Sequence, residues 1–137
     1  MTRTYTGGCA CGAIRFEIAD EPLFQNHCQC LDCQHITSAG HGSYLTFPRQ
    51  HVKQSGQAAL WQMTGDSGNA KTSGFCAACG SPVHLTFAAM PDIFTVHAAC
   101  LDDPSRFKPQ VLTYAKRGHA WDLVDPAVPA FADGASG

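Results

Sequence analysis

Charge is scarce in this 137-residue chain: Asp, Glu, Lys and Arg together make up 15% of it, and the formal net charge is −2. The nine Lys and Arg residues are scattered, so no basic run is present to track a phosphate backbone, and nucleic acid is not expected as a partner. Long apolar runs are missing too. Nothing approaches the roughly 20 residues that span a bilayer. The opening "MTRTYTGG" has no apolar core of a secretory signal. The expectation is a cytoplasmic protein without membrane contact. Sustained 3.6-residue periodicity is also lacking, which argues against a helical bundle.

Apolar residues account for 45% of the chain, enough for one modest core and too few residues overall for two ordinary domains. Their spacing is mostly two. In "AIRFEI", Ile14, Phe16 and Ile18 alternate with Arg15 and Glu17, as on a strand with one buried face. "SYLTF" (43–47), "ALWQM" (59–63), "VHLTF" (83–87), "IFTVHA" (93–98) and "VLTYA" (111–115) are rich in β-branched and aromatic residues, and most are bounded by Gly, Pro, Asp or Ser. At least six strands are expected, giving an all-β fold. Helical turns are expected only at "LDCQHITS" around Cys33 and at "DDPSRF", where Asp103 can cap a turn that begins with Pro104. The predicted organisation is one domain over residues 1–124. A loosely held tail is expected over 125–137, where "DPAVPAFADGASG" offers little to bury.

Against this plain background stand eight cysteines. In a reducing compartment clustered thiols bind metal or do redox chemistry more often than they form disulfides. "FCAACGS" holds the pair Cys76 and Cys79 followed by Gly80, a turn that brings two sulfurs to one zinc ion. The alternative is a redox pair, but such pairs start helices, whereas here Gly80-Ser81-Pro82 leads into a strand pattern. A closed structural zinc needs two further ligands. Cys9 and Cys11, in the Gly-rich "GGCACG", are the best candidates, their alternative being small buried hydrophobes.

In "HCQCLDC", Cys28, Cys30 and Cys33 crowd into six residues with no obvious fourth ligand. Three protein ligands and an open position are the arrangement of a catalytic zinc. Three thiolates on Zn²⁺ leave a net charge of roughly −1, a soft site suited to a thiol or an aldehyde oxygen. The competing possibility is closure by His35. His27, His35 and His41 are the hypothetical proton carriers. Cys100, alone at the end of "TVHAAC", reads as a small packed residue.

The succession of "GGCACGAIRFE", "HCQCLDCQ" with Gly40 downstream, "FCAACGSPV", "LDDPSRFKP" and Trp121 resembles the glutathione-dependent formaldehyde-activating enzyme family, which includes centromere protein V. The resemblance runs from about Thr6 to Trp121. It implies a β-tent of antiparallel sheets and two zinc ions. It also implies the same partition: Cys9, Cys11, Cys76 and Cys79 structural, Cys28, Cys30 and Cys33 catalytic. The implied activity is that of a carbon–sulfur lyase, S-(hydroxymethyl)glutathione synthase, with a glutathione-like thiol and a small aldehyde as partners. Arg15, Arg49, Lys53 and Lys71 are the cations available for glutathione's two carboxylates. The alternative function is a non-catalytic two-zinc module that engages a protein partner.

Overall fold

The alternation of Ile14, Phe16 and Ile18 does build a strand, and its buried side faces the main core. In the computed structural model, which describes residues 4–65 and 67–134, β1 (Thr4–Gly8), β2 (Arg15–Ala19) and β5 (Val52–Ser55) form an antiparallel three-stranded sheet in the order β1-β2-β5. The larger sheet comprises β3 (Phe24–Cys28), β4 (Gly42–Pro48), β6 (Ala59–Thr64), β7 (Ala70–Phe75), β8 (Pro82–Phe87), β9 (Met90–His97) and β10 (Val111–Thr113). Its order is β10-β3-β4-β9-β8-β7-β6, with only the β10–β3 pair parallel.

The fold is all-β with few helical turns, as the sequence pattern predicts. α1 (Leu31–Thr37) is capped by Cys30, whose sulfur accepts from the Cys33 N–H at 3.4 Å, and it ends at Ser38 in the left-handed conformation. At residues 104–106 the expected turn begins with Pro104, and Asp103 accepts from the Ser105 N–H. Each of the six predicted segments contains a strand, though "VLTYA" leaves β10 at Tyr114, which turns to φ +56° ahead of a short helical turn. The strands the sequence did not signal, β1, β3, β5 and β7, are polar or Gly-containing, and their extension comes from ladder pairing rather than propensity.

The two sheets enclose the core. Tyr5, Ile14, Phe16 and Ile18 from the small sheet pack with Leu45, Phe47, Val83 and Val96 of the large one. β4 is buried on both faces: Leu45 and Phe47 join this core, while Tyr44 and Thr46 point to the opposite side. The approach between layers is close at Gly7, where a Cβ would lie 2.2 Å from the carbonyl oxygen of Cys100.

The C-terminal stretch departs from the expected loose tail. The Leu112 N–H donates to the Pro129 carbonyl, and the Phe131 N–H donates back to Leu112, both at 2.8 Å. The Tyr114 N–H reaches the Asp133 carbonyl at 2.9 Å, so residues 129–133 extend the sheet beside β10. Composition missed this because backbone groups, not side chains, make the contact. Residues 135–137 lie outside the described part. No helix among the described residues is long and apolar enough to cross a membrane.

Candidate metal centre and substrate chamber

Two turns from different sheets bring the first four sulfurs together. Cys9 and Cys11 lie between β1 and β2, and Cys76 and Cys79 between β7 and β8; all four sulfurs fall within 4.8 Å of one another. Cys11 is 3.7 Å from Cys9 and 3.7 Å from Cys76. A tetrahedron with Zn–S bonds of about 2.3 Å has edges of about 3.8 Å, so the spacing fits one tetrahedral ion. Gly80, at φ +81°, lets the turn close, and its N–H donates to the Cys76 carbonyl at 2.8 Å. The Ala10 N–H donates to Ser81 Oγ, tying the two turns directly.

Backbone and hydroxyl donors also favour thiolate at this cluster. The Ile14 N–H lowers the pKa of Cys9, and Ser81 brings that of Cys79 down to about 5. At Cys11 the Ala13 N–H favours the thiolate, but the neighbouring sulfurs of Cys76 and Cys9 prevail and push the thiol up to about 11. Sulfurs this close cannot all ionise without a cation among them.

The second group is Cys28, at the end of β3, Cys30, the cap of α1, and Cys33, in its first turn; all three are buried and their sulfurs lie within 4.8 Å of one another. No His, Asp or Glu joins them among the described residues, and His35 is exposed on the helix. Closure by His35 therefore finds no support in the geometry. The Cys28 and Cys33 thiols pull Cys30 well below the usual thiol range, with Lys71 adding to the effect. Cys28 and Cys33 are raised in return by their sulfur neighbours. Lys71 Nζ stands 3.5 Å from Cys30 Sγ and 3.5 Å from Asp32.

Cys28 and Cys33 form part of the wall of a chamber of about 370 Å³. On β3, Phe24, Asn26 and Cys28 line it, so the alternation of the strand turns His27 to the other face. There His27 Nδ1 meets Ser43 Oγ at 2.8 Å and its ring packs edge-on to His41 at 4.7 Å. His41 in turn is held by Asp122, which also accepts from Gln29. None of the three candidate proton carriers faces the chamber. Tyr44 and Lys71 do. The Tyr44 hydroxyl is buried beside Cys33, and burial, with the Cys33 sulfur adding to the effect, raises its pKa well above the ordinary value.

Sequence reasoning did not single out Tyr44, although β4 alternation from Cys28's partner Gly42 puts both on one face. Lys71 was one cation among four. Arg15 is engaged by Asp102 on the small sheet, where Lys53 also lies; Arg49 sits in a short turn outside the chamber. Cys100 packs against the core and donates its thiol hydrogen to the Pro82 carbonyl at 3.0 Å, while burial pushes its pKa up to about 11. Trp121, 68% exposed, stacks on His119 away from both clusters.

The architecture is similar to the crystal structure of a Rhodobacter sphaeroides protein, with a TM-score of 0.57 and 20% identity over 92% of this chain and 99% of that one, a likeness of fold. Residues 4–117, which include all seven clustered cysteines, match the profile of the glutathione-dependent formaldehyde-activating enzyme family, and the chain belongs to that family.

Proposed function

We propose that the protein is a zinc-dependent carbon–sulfur lyase that joins formaldehyde, or a related aldehyde, to glutathione or another small thiol and also runs the reverse cleavage. Cys28, Cys30 and Cys33 would hold the catalytic ion, and Cys9, Cys11, Cys76 and Cys79 a structural one. The observation that carries this reading is a three-sulfur cluster that no fourth side-chain ligand joins among the described residues, set in the wall of a chamber. The eight cysteines are all free, in keeping with a reducing cytoplasmic setting.

Zinc at the three sulfurs would supply Lewis acidity, lowering a thiol's pKa or polarising a carbonyl. The chain's own groups do the rest. The thiol sulfur bonds to the carbonyl carbon, the C=O π pair moves onto oxygen, and the S–H proton ends on that oxygen. No oxidant or reductant is needed. Tyr44, whose buried hydroxyl lies beside Cys33 in the chamber wall, is the donor we assign to the developing oxygen. Lys71 offsets the negative charge of the sulfur cluster from beside Cys30.

The test is the exchange rate between labelled formaldehyde and S-hydroxymethylglutathione, followed by NMR, with zinc counted per chain. Acceleration over the uncatalysed rate that disappears in Cys30→Ser supports the proposal. A background rate with two zinc ions bound rejects this substrate pair. The binding-module alternative draws on Leu60 and Trp61, each 65% exposed on the edge strand β6, and gains ground only if no thiol and aldehyde pair is turned over.

A further inference from the structure

The chamber is built for something greasier than glutathione. Formaldehyde has two non-hydrogen atoms, whereas a cavity of about 370 Å³ is of the size that takes a drug-sized ligand. Leu23, Phe24, Leu85, Phe87, Met90 and Ile93 make most of its wall. The polar groups there are few and mostly engaged. Thr46 and Thr95 bond each other through their hydroxyls at 2.8 Å. Asn26 Nδ2 donates to Thr113 Oγ1 at 3.2 Å. Lys71, the one cation lining the chamber among the described residues, already faces Asp32 and Cys30, each at 3.5 Å.

Glutathione would bring two carboxylates and an ammonium group. A carboxylate buried without a partner is costly, and neither the leucines nor the phenylalanines can repay its lost hydration. Arg49 is no remedy inside the chamber. It lies beyond the Leu23 and Ile93 rim, in a neighbouring groove that also contains Asp92. The Tyr44 hydroxyl, buried beside Cys33, adds polarity at the sulfur end of the wall, which matches a ligand with one polar end.

Resting on the lyase reading above, we infer that the thiol partner is an apolar one, an alkyl or arylalkyl thiol. Its sulfur meets the three-cysteine centre and its hydrocarbon body lies along Leu85, Phe87, Met90 and Ile93. The step is unchanged in its balance: the apolar thiol's sulfur bonds to the aldehyde carbon and its proton passes to the oxygen. Specificity comes from the apolar area the body buries rather than from ion pairs.

The experiment is calorimetric titration of the zinc-loaded full chain with phenylmethanethiol and, separately, with glutathione, which reads binding rather than turnover. Phenylmethanethiol should bind at least tenfold more tightly. Phe87→Ala should weaken it about tenfold while leaving glutathione within twofold. Met90→Gln, at a position 53% exposed on the rim and therefore safe for folding, should weaken it in the same direction by less. Glutathione binding as tightly or more tightly overturns the inference and leaves the lyase reading standing. Unchanged affinity for phenylmethanethiol in both variants also overturns it. If neither thiol binds while zinc occupies the three cysteines, both readings fall together.

Discussion

The two sulfur clusters use the same residue in opposite ways. The four-cysteine group spans residues 9 to 79, joins turns of two different sheets, and leaves Cys11 and Cys79 exposed. The three-cysteine group spans residues 28 to 33, lies within one strand-to-helix connection, and is buried throughout. An ion at the first site closes a loop of many tens of residues, so its binding is coupled to folding. An ion at the second constrains six residues that the strand and helix already hold. Its surroundings, a chamber and a lysine, point to chemistry instead. On the proposed assignment, sequence span, more than the number of sulfurs, would separate a fastening from a reaction centre.

The sharpest way to break that comparison is to remove one sulfur from each site. Cys76→Ser should cost more than about 4 kcal/mol and lower Tm by about 10 °C or more, with loss of one metal ion. Cys30→Ser should cost less than half as much while abolishing catalysed exchange. Calorimetric melting with metal analysis decides it, and equal losses in the two variants would contradict the contrast.

Acid should weaken the fold through groups that belong to neither cluster. Burial brings His84 and His97 down to about 4, with Arg49 adding to the effect at His84 and His84 adding to it at His97. Each binds a proton in the unfolded chain below about pH 6.5 but not in the folded one until about pH 4. Stability is therefore full above pH 6.5 and falls as the pH drops from 6.5 towards 4. His97→Phe should reduce the loss of stability between pH 7 and pH 5 by on the order of 2 kcal/mol, measured by urea unfolding.

A smaller effect distinguishes the surroundings of the two clusters. Lys71→Met removes the cation beside Cys30 and should weaken zinc binding at the three-cysteine site about tenfold. Competition with a chromophoric chelator should show the four-cysteine site unchanged. The smallest predicted effect is at Gly80, where φ is +81° and a Cβ would meet nothing. Gly80→Ala should cost about 1 kcal/mol through backbone strain alone, read as a small fall in Tm with both metals retained.

Much of the cysteine grouping was legible because its parts are local. Cys76-x-x-Cys79-Gly80 and Cys28-x-Cys30-x-x-Cys33 are each set by a single turn, and the lone 3.6-type turn after Cys30 formed where Cys30 could cap it. Strand β3 was not legible, since "FQNHC" has the composition of a loop and is extended by its ladders with β4 and β10. The roles considered for His27 and His41 illustrate the same limit. Both were candidate proton carriers, yet a strand sends neighbouring side chains to opposite faces, and His27 points away from Cys28. The strap at 129–133 was hidden for a related reason: main-chain hydrogen bonds carry no mark in composition.

By itself, the sequence determined the fold class, the family and the division of seven cysteines into a four and a three. Periodicity and short-range spacing are properties of the chain and survive without a partner segment. Only the tertiary structure decided which faces meet. It put Lys71 beside Cys30 across 41 residues, turned Tyr44 inward and the histidines away, and walled the chamber with side chains from β3, β4, β8 and β9. Contacts of that kind depend on register and sheet order, which the whole core fixes at once through the burial of alternate faces.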